Sequence, residues 1–215
     1  MTSESTLSVR ARERPEAPFV FFRGRRGHFR WLSYAAAAAG KVTRSDGADW
    51  APLEVHELVR FAGELEPPES PDEAAAPFLR RDKDRDVWIS WRPLSAPSER
   101  SLAAAAIRGG AAIVVERRER FPLDLFLWAR PTVVSASHDD LAAILARVEE
   151  EAPRWRRRGW LRQKLGRLRA ILVEDAVAPD QLERLEIELR RLFPDAPASV
   201  RRFEPTGDPD RPALV

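Results

Sequence analysis

From Asp86 to Phe203 short apolar runs alternate with longer stretches of helical periodicity, and this alternation constrains the fold more than any other feature of the chain. Val87–Trp91, Ala111–Val115, Thr132–Ser135, Leu168–Val173 and Ser199–Phe203 read as strands. Between them Ser98–Arg108, Pro122–Trp128, Asp139–Glu151, Trp155–Leu165 and Pro179–Phe193 read as helices. A strand that is apolar on both sides must be covered on both, and helical crossovers between parallel strands supply that cover. The expected fold is therefore α/β, with a largely parallel sheet flanked by helices.

The amino-terminal part adds a different unit. Phe19–Phe22 and His28–Leu32 flank the glycine-bearing stretch Arg23–Gly27, which predicts a β-hairpin. Ser33 is placed to cap a short helix over Tyr34–Ala39 that Gly40 ends, and Leu53–Leu65 forms a further helix. Glu66–Asp72, with three prolines and three acids, reads as an exposed connection into a short helix over Pro71–Leu79. Residues 1–18 are polar and read as a disordered tail, 19–207 as one α/β domain and 208–215 as a flexible carboxy-terminal tail. A chain of 215 residues is long enough for one such core.

Composition excludes several kinds of chemistry. Without cysteine there is no disulfide framework, thiolate metal site or cysteine nucleophile. No apolar run approaches the roughly 18 residues of a membrane-spanning helix, and Met1–Pro18 lacks the apolar stretch of a secretory leader, so a cytoplasmic protein is expected. The formal net charge is only +2; the pI of 9.5 arises because nearly every base is arginine, which does not titrate below pH about 12. Global charge thus gives no argument for nucleic acid, and a nucleic-acid partner is not expected.

Several segments, in serial order, carry a resemblance. Asp86-Val87-Trp88-Ile89-Ser90-Trp91-Arg92-Pro93-Leu94-Ser95 resembles a strand ending in Leu-Pro-Leu-Ser-His; Gly109–Val115 is similar to a following Gly-Ala-x-Val-Val stretch. Phe121–Leu125 with Arg130-Pro131-Thr132-Val133-Val134 resembles a passage ending in Arg-Pro-Thr, and Gly166–Ala170 resembles the strand before a Ser-Gly-Gly-Ala-Pro-Leu loop. This order resembles that of the amino-terminal domain of the AMP-binding, adenylate-forming superfamily, nearest to its long-chain fatty acyl-CoA synthetases, and the similarity runs over roughly residues 43–207.

The resemblance implies ATP-dependent activation of a carboxylate as an acyl-adenylate, followed by transfer to coenzyme A. It also implies a phosphate loop like Ser-Gly-Thr-Thr-Gly-x-Pro-Lys, which aligns with Thr43–Trp50. Thr43, Ser45 and Gly47 fit it, with His56 where the family has a Thr-His pair. Asp46 and Asp49 place carboxylates beside the expected phosphates, and Trp50 replaces the lysine. Like charges at that range oppose binding by about 1–4 kcal/mol each. Glu174 and Asp175 stand where the adenine loop has its glycines. Phe203 and Thr206 keep a ring and a hydroxyl of the Tyr-Gly-x-Thr-Glu segment, but Gly207 stands where the magnesium-directed Glu belongs. The chain stops at Val215, before the family's ribose site and the domain that carries its catalytic lysine. The sequence therefore predicts a catalytically impaired relative, a pseudoenzyme with an accessory or binding role, no catalytic residue, no metal site and no cofactor. The alternative is an active or split acyl-CoA ligase that forms acyl-adenylates from fatty acids with ATP and magnesium.

Other residues carry less. His28, His56 and His138 are scattered, and His138-Asp139-Asp140 reads as a helix start with favourable dipole charges rather than a metal corner. Ser95 and Ser135 follow strands outside any Gly-x-Ser-x-Gly elbow. The stretch Arg154–Arg169 holds eight bases and no acid. Within it Arg154, Trp155, Arg156, Arg157, Arg158, Trp160, Arg162 and Lys164 form a candidate interaction surface for an anionic membrane or a protein partner, which makes a basic interaction module the second alternative. A solvated helix face is the simpler reading of such a run.

Overall fold

A computed structural model of the chain describes residues 4–23, 28–41, 53–68, 86–90, 97–115, 128–151, 167–173, 178–192, 199–204 and 213–214. In chain order these contain helix α1 (Thr6–Glu13), strands β1 (Pro18–Arg23) and β2 (Phe29–Ser33), and helices α2 (Tyr34–Ala38) and α3 (Leu53–Glu64). Then come β3 (Val87–Ser90), α4 (Pro97–Gly109), β4 (Ala112–Val115), β5 (Val133–Ala136) and α5 (His138–Glu151). The last are β6 (Ala170–Val173), α6 (Pro179–Leu192), β7 (Ser199–Glu204) and β8 (Ala213–Leu214). The helices expected over Pro71–Leu79 and Trp155–Leu165 lie outside the described residues, as does all but the end of Pro122–Trp128.

One sheet has the order β2-β1-β4-β3-β5-β6-β7-β8. Its β1, β4, β3, β5, β6 and β7 run parallel, with antiparallel β2 and β8 at the two edges. The hairpin joins the sheet rather than standing apart, because Val20, Phe21 and Phe22 align with Ile113, Val114 and Val115. Alternate residues of each central strand point to opposite faces. Phe19, Phe22, Trp88, Ile113, Val133 and Leu172 share a core with Leu7 of α1, Tyr34 of α2, Val55 and Leu58 of α3 and Leu102 and Ile107 of α4. On the other face Ile89, Val114, Val134, Ile171 and Val173 pack with Leu141 and Leu145 of α5 and Leu185 and Leu189 of α6. The two-sided cover expected from the strand composition is present.

Two expectations need correction. Residues 1–18 are not simply a tail: the Ser5 side chain caps α1, and Thr6 and Leu7 are buried. The Thr6 amide donates to the Leu65 carbonyl at 2.8 Å and its hydroxyl to the Glu66 carbonyl at 2.7 Å, while Arg10 donates to the Arg108 carbonyl near the end of α4. An eight-residue polar segment has no helical stability of its own, and docking supplies it. Nor is 208–215 wholly a flexible tail, because Ala213 and Leu214 pair with Glu204 and Phe203.

Local rules explain the short elements. Ser33 Oγ accepts from the Ala36 amide at 3.1 Å and starts α2, and Gly40 at φ +66° follows its end. The Tyr34 hydroxyl donates to the Ala111 carbonyl at 3.0 Å, so its ring is buried without stranding its polar tip. Gly110, at φ +75°, turns the chain from α4 into β4.

Candidate functional site

In a sheet of this kind, ligands bind outside the carboxyl ends of the strands, where successive connections diverge. Here the chain passes from β3 to β4 on one side and returns through β5 on the other, so the divergence lies between β3 and β5, at the pair Ser90 and Ser135. The helices obey the same geometry. α4 packs with the α1–α3 face and α5 with the opposite one, as right-handed crossovers in opposite directions require.

A buried polar relay stands at this point. The Trp88 indole N–H donates to Ser135 Oγ at 3.1 Å, and that hydroxyl donates to Glu99 Oε2 at 3.2 Å. Glu99, in the first turn of α4, is 1% exposed. The position places a carboxylate near the positive end of the helix dipole. Ser135 lies inside β5 and is buried with its hydroxyl engaged on both sides, so it holds the interior of the site together and offers no exposed nucleophile.

The helix after β5 starts as its sequence suggests, with one change of residue. Ser137 is the cap: its Oγ accepts from the Asp140 amide at 3.1 Å and lies 2.8 Å from Asp140 Oδ2, to which it donates. His138 Nδ1 lies 3.3 Å from Asp139 Oδ1, and no group of three potential metal ligands occurs among the described residues.

Three residues from segments that carry the resemblance meet elsewhere, at the amino ends of the strands. Thr132 Oγ1 donates to Asp86 Oδ1 at 2.8 Å and accepts from the Val87 amide at 2.9 Å. Arg169 pairs with the same Asp86 oxygen, and its amide donates to the Thr132 carbonyl at 2.8 Å. Three motifs separated by dozens of residues thus meet in one clamp that sets the starts of β3, β5 and β6. Asp86 is buried, and a buried carboxylate is tolerated because it is both paired and hydrogen-bonded.

Thr43, Ser45, Gly47 and Thr206 lie outside the described residues, as do Arg154, Trp155, Arg156, Arg157, Arg158, Trp160, Arg162 and Lys164. His56 is half-buried on α3, which packs with α1 and α2. Phe203 belongs to β7, next to edge strand β8. One candidate escaped the sequence reading. β1 ends at Arg23 on the carboxyl edge, and the sequence from there into the start of β2 reads Gly24-Arg25-Arg26-Gly27-His28-Phe29-Arg30. Its glycines are three apart, with a cation three residues after the second, as in Gly-Thr-Thr-Gly-x-Pro-Lys. The spacing is visible in the sequence; the parallel pairing of β1 with β4 puts the end of β1, Arg23, at the carboxyl edge of the sheet.

No family model matches the sequence, and no curated protein does. Solved structures do. The chain superposes on IdnL1 with a TM-score of 0.61 at 13% identity, over all of this chain and 63% of that one. It superposes on the adenylation domain of a keto acid-selecting NRPS module, bound to a keto acyl adenylate, with a TM-score of 0.57 at 13% identity, over 93% of this chain and 58% of that one. A long-chain-fatty-acid-CoA ligase from Archaeoglobus fulgidus gives a TM-score of 0.44 at 13% identity over 82% of this chain and 28% of that one. The chain spans less than two thirds of the length of each of these three. Its α/β fold is that of the amino-terminal domain of adenylate-forming enzymes.

Proposed function

We propose that this chain is a relative of the acyl-CoA synthetases that has kept the scaffold and lost adenylation, and that it acts as an accessory or binding protein. The observation that carries this reading is the Asp86–Thr132–Arg169 clamp: three residues from segments that carry the resemblance serve the starts of strands, away from the carboxyl ends where the chemistry of such sheets sits. The segment aligned with the phosphate loop supports it, since Asp46, Asp49 and Trp50 oppose a polyanion there. Calorimetric titration with ATP and magnesium, beside a fatty acyl-adenylate analogue, tests it. Two flat traces are expected, and saturable heat with either ligand overturns the reading.

A working nucleotide site is the second reading, favoured by the Gly24-x-x-Gly27-x-x-Arg30 spacing in the sequence that follows β1. Backbone amides of such a glycine turn, with one cation, suit phosphate oxygens. ATP binding that Arg30→Ala abolishes and Trp50→Ala leaves intact would establish it, and pyrophosphate release with a fatty acid would make the chain a ligase.

A further inference from the structure

Strand β2 is an edge of the sheet: it pairs with β1 on one side, and among the described residues no strand pairs with it on the other. An edge strand presents a row of backbone donors and acceptors, which proteins usually protect with prolines, bulges or cover. β2, Phe-Arg-Trp-Leu-Ser, has no proline, and the one irregularity of its ladder with β1 lies on β1, between Pro18 and Val20.

Its two faces differ. Trp31 lies opposite Phe21, and Phe29 opposite Arg23, so these four share one face. Trp128 closes on the same ring cluster, stacked on Phe29 at 5.1 Å and edge-on to Phe21 at 5.2 Å, while the Arg23 guanidinium lies 4.8 Å from the Phe29 centroid. Trp31 stays 46% exposed and Trp128 37% exposed, two of the four large apolar side chains that are exposed among the described residues. On the other face Arg30 is exposed opposite Phe22. From Ala17 to Ser45 the sequence holds Arg23, Arg25, Arg26, Arg30, Lys41 and Arg44 and no acid.

We propose that β2 is a docking edge for an extended acidic peptide segment of a partner protein, added to the sheet as a further strand. Backbone pairing along Phe29–Ser33 supplies the register. A strand alternates its side chains, so the recognised segment alternates apolar residues, which lie against Trp31 and Phe29, with carboxylates, which lie beside Arg30. Charge selects this occupant over a second copy of the chain, because two β2 edges would bring arginines together. The available backbone edge selects it over a nucleic acid, whose recognition does not use one.

The test uses the full chain and a fluorescein-labelled, alternating Glu-Val decapeptide, with an alternating Lys-Val decapeptide as its charge inverse, read by fluorescence anisotropy. The Glu-Val peptide binds saturably and the Lys-Val peptide does not. Arg30→Glu weakens the first by about tenfold or more and admits the second, as a reversed interface charge does. Trp31→Thr, which keeps strand propensity, weakens binding without altering the far-ultraviolet circular dichroism. No saturable binding up to about 100 μM, equal binding of both peptides, or indifference to both substitutions overturns the proposal. Displacement of the peptide by single-stranded oligothymidylate, with the same dependence on Arg30 and Trp31, overturns it in favour of nucleic acid.

Discussion

The Thr132 hydroxyl donates to the Asp86 carboxylate over 2.8 Å, joining the start of β5 to the start of β3 at a point where Arg169, from the start of β6, also converges. Parallel strands have no tight turns to fix their relative stagger. A polar clamp across three of them does that work, and it ties the Arg-Pro-Thr motif to the Asp-Val-Trp motif.

Replacing Thr132 with Val keeps the shape and removes the hydroxyl, leaving the Val87 amide and one Asp86 oxygen without this partner. A loss of about 2–3 kcal/mol is expected in urea denaturation, with Thr132→Ser retaining most of the stability. Equal stability of Val and wild type would show that the Thr132 hydroxyl contributes nothing to the clamp.

Ser135→Ala and Trp88→Phe separate the parts of the buried relay. The first removes a hydroxyl donor from the Glu99 carboxylate and is expected to cost about 2–3 kcal/mol. The second leaves Ser135–Glu99 intact, keeps an aromatic ring in the core, and combines a lost neutral hydrogen bond with a smaller ring, for about 1–3 kcal/mol. Their double mutant should fall short of the sum, because the residues share one network.

Leu7→Ala tests the docking of α1. The side chain is in the main core, so the substitution should cost about 2–4 kcal/mol, measured by denaturant midpoint. A change below about 0.5 kcal/mol would identify the segment as dispensable surface.

Gly110→Ala should destabilise by about 1–2 kcal/mol, because φ is +75° and the nearest atom to an added Cβ, Arg10 Nε at 3.8 Å, leaves room for it. The penalty is backbone strain, not collision. The same substitution at Gly63, which sits inside α3 with open space around it, should instead stabilise by a few tenths to about 1 kcal/mol.

Much of the fold was legible. Alternating apolar and amphipathic runs placed β3 to β7 and α4 to α6 within a few residues, and Ser33 and Gly40 marked the ends of α2 because capping is local chemistry. Helix α1 was not legible: its Leu7 and Thr6 matter only because α3 and α4 end beside them, and nothing within the segment reports that. Strand β8 escaped for the same reason, since two residues form a strand only when a partner is waiting.

The candidate site was less legible. The aligned phosphate loop rested on linear matching, which cannot say which loops leave the carboxyl ends of parallel strands. Nothing in the sequence singles out Glu99, yet it is buried at the start of α4, where the Ser135 hydroxyl donates to it.

By itself the sequence determined the order and type of the elements and the two-sided burial of the strands, because periodicity and capping act over a few residues. Tertiary structure alone decided that the hairpin enters the sheet beside β4, that the connections diverge between β3 and β5, and that Asp86, Thr132 and Arg169 meet. Those outcomes depend on contacts between residues far apart in the chain, where the gain from packing and pairing has to exceed the entropy of closing the intervening loops.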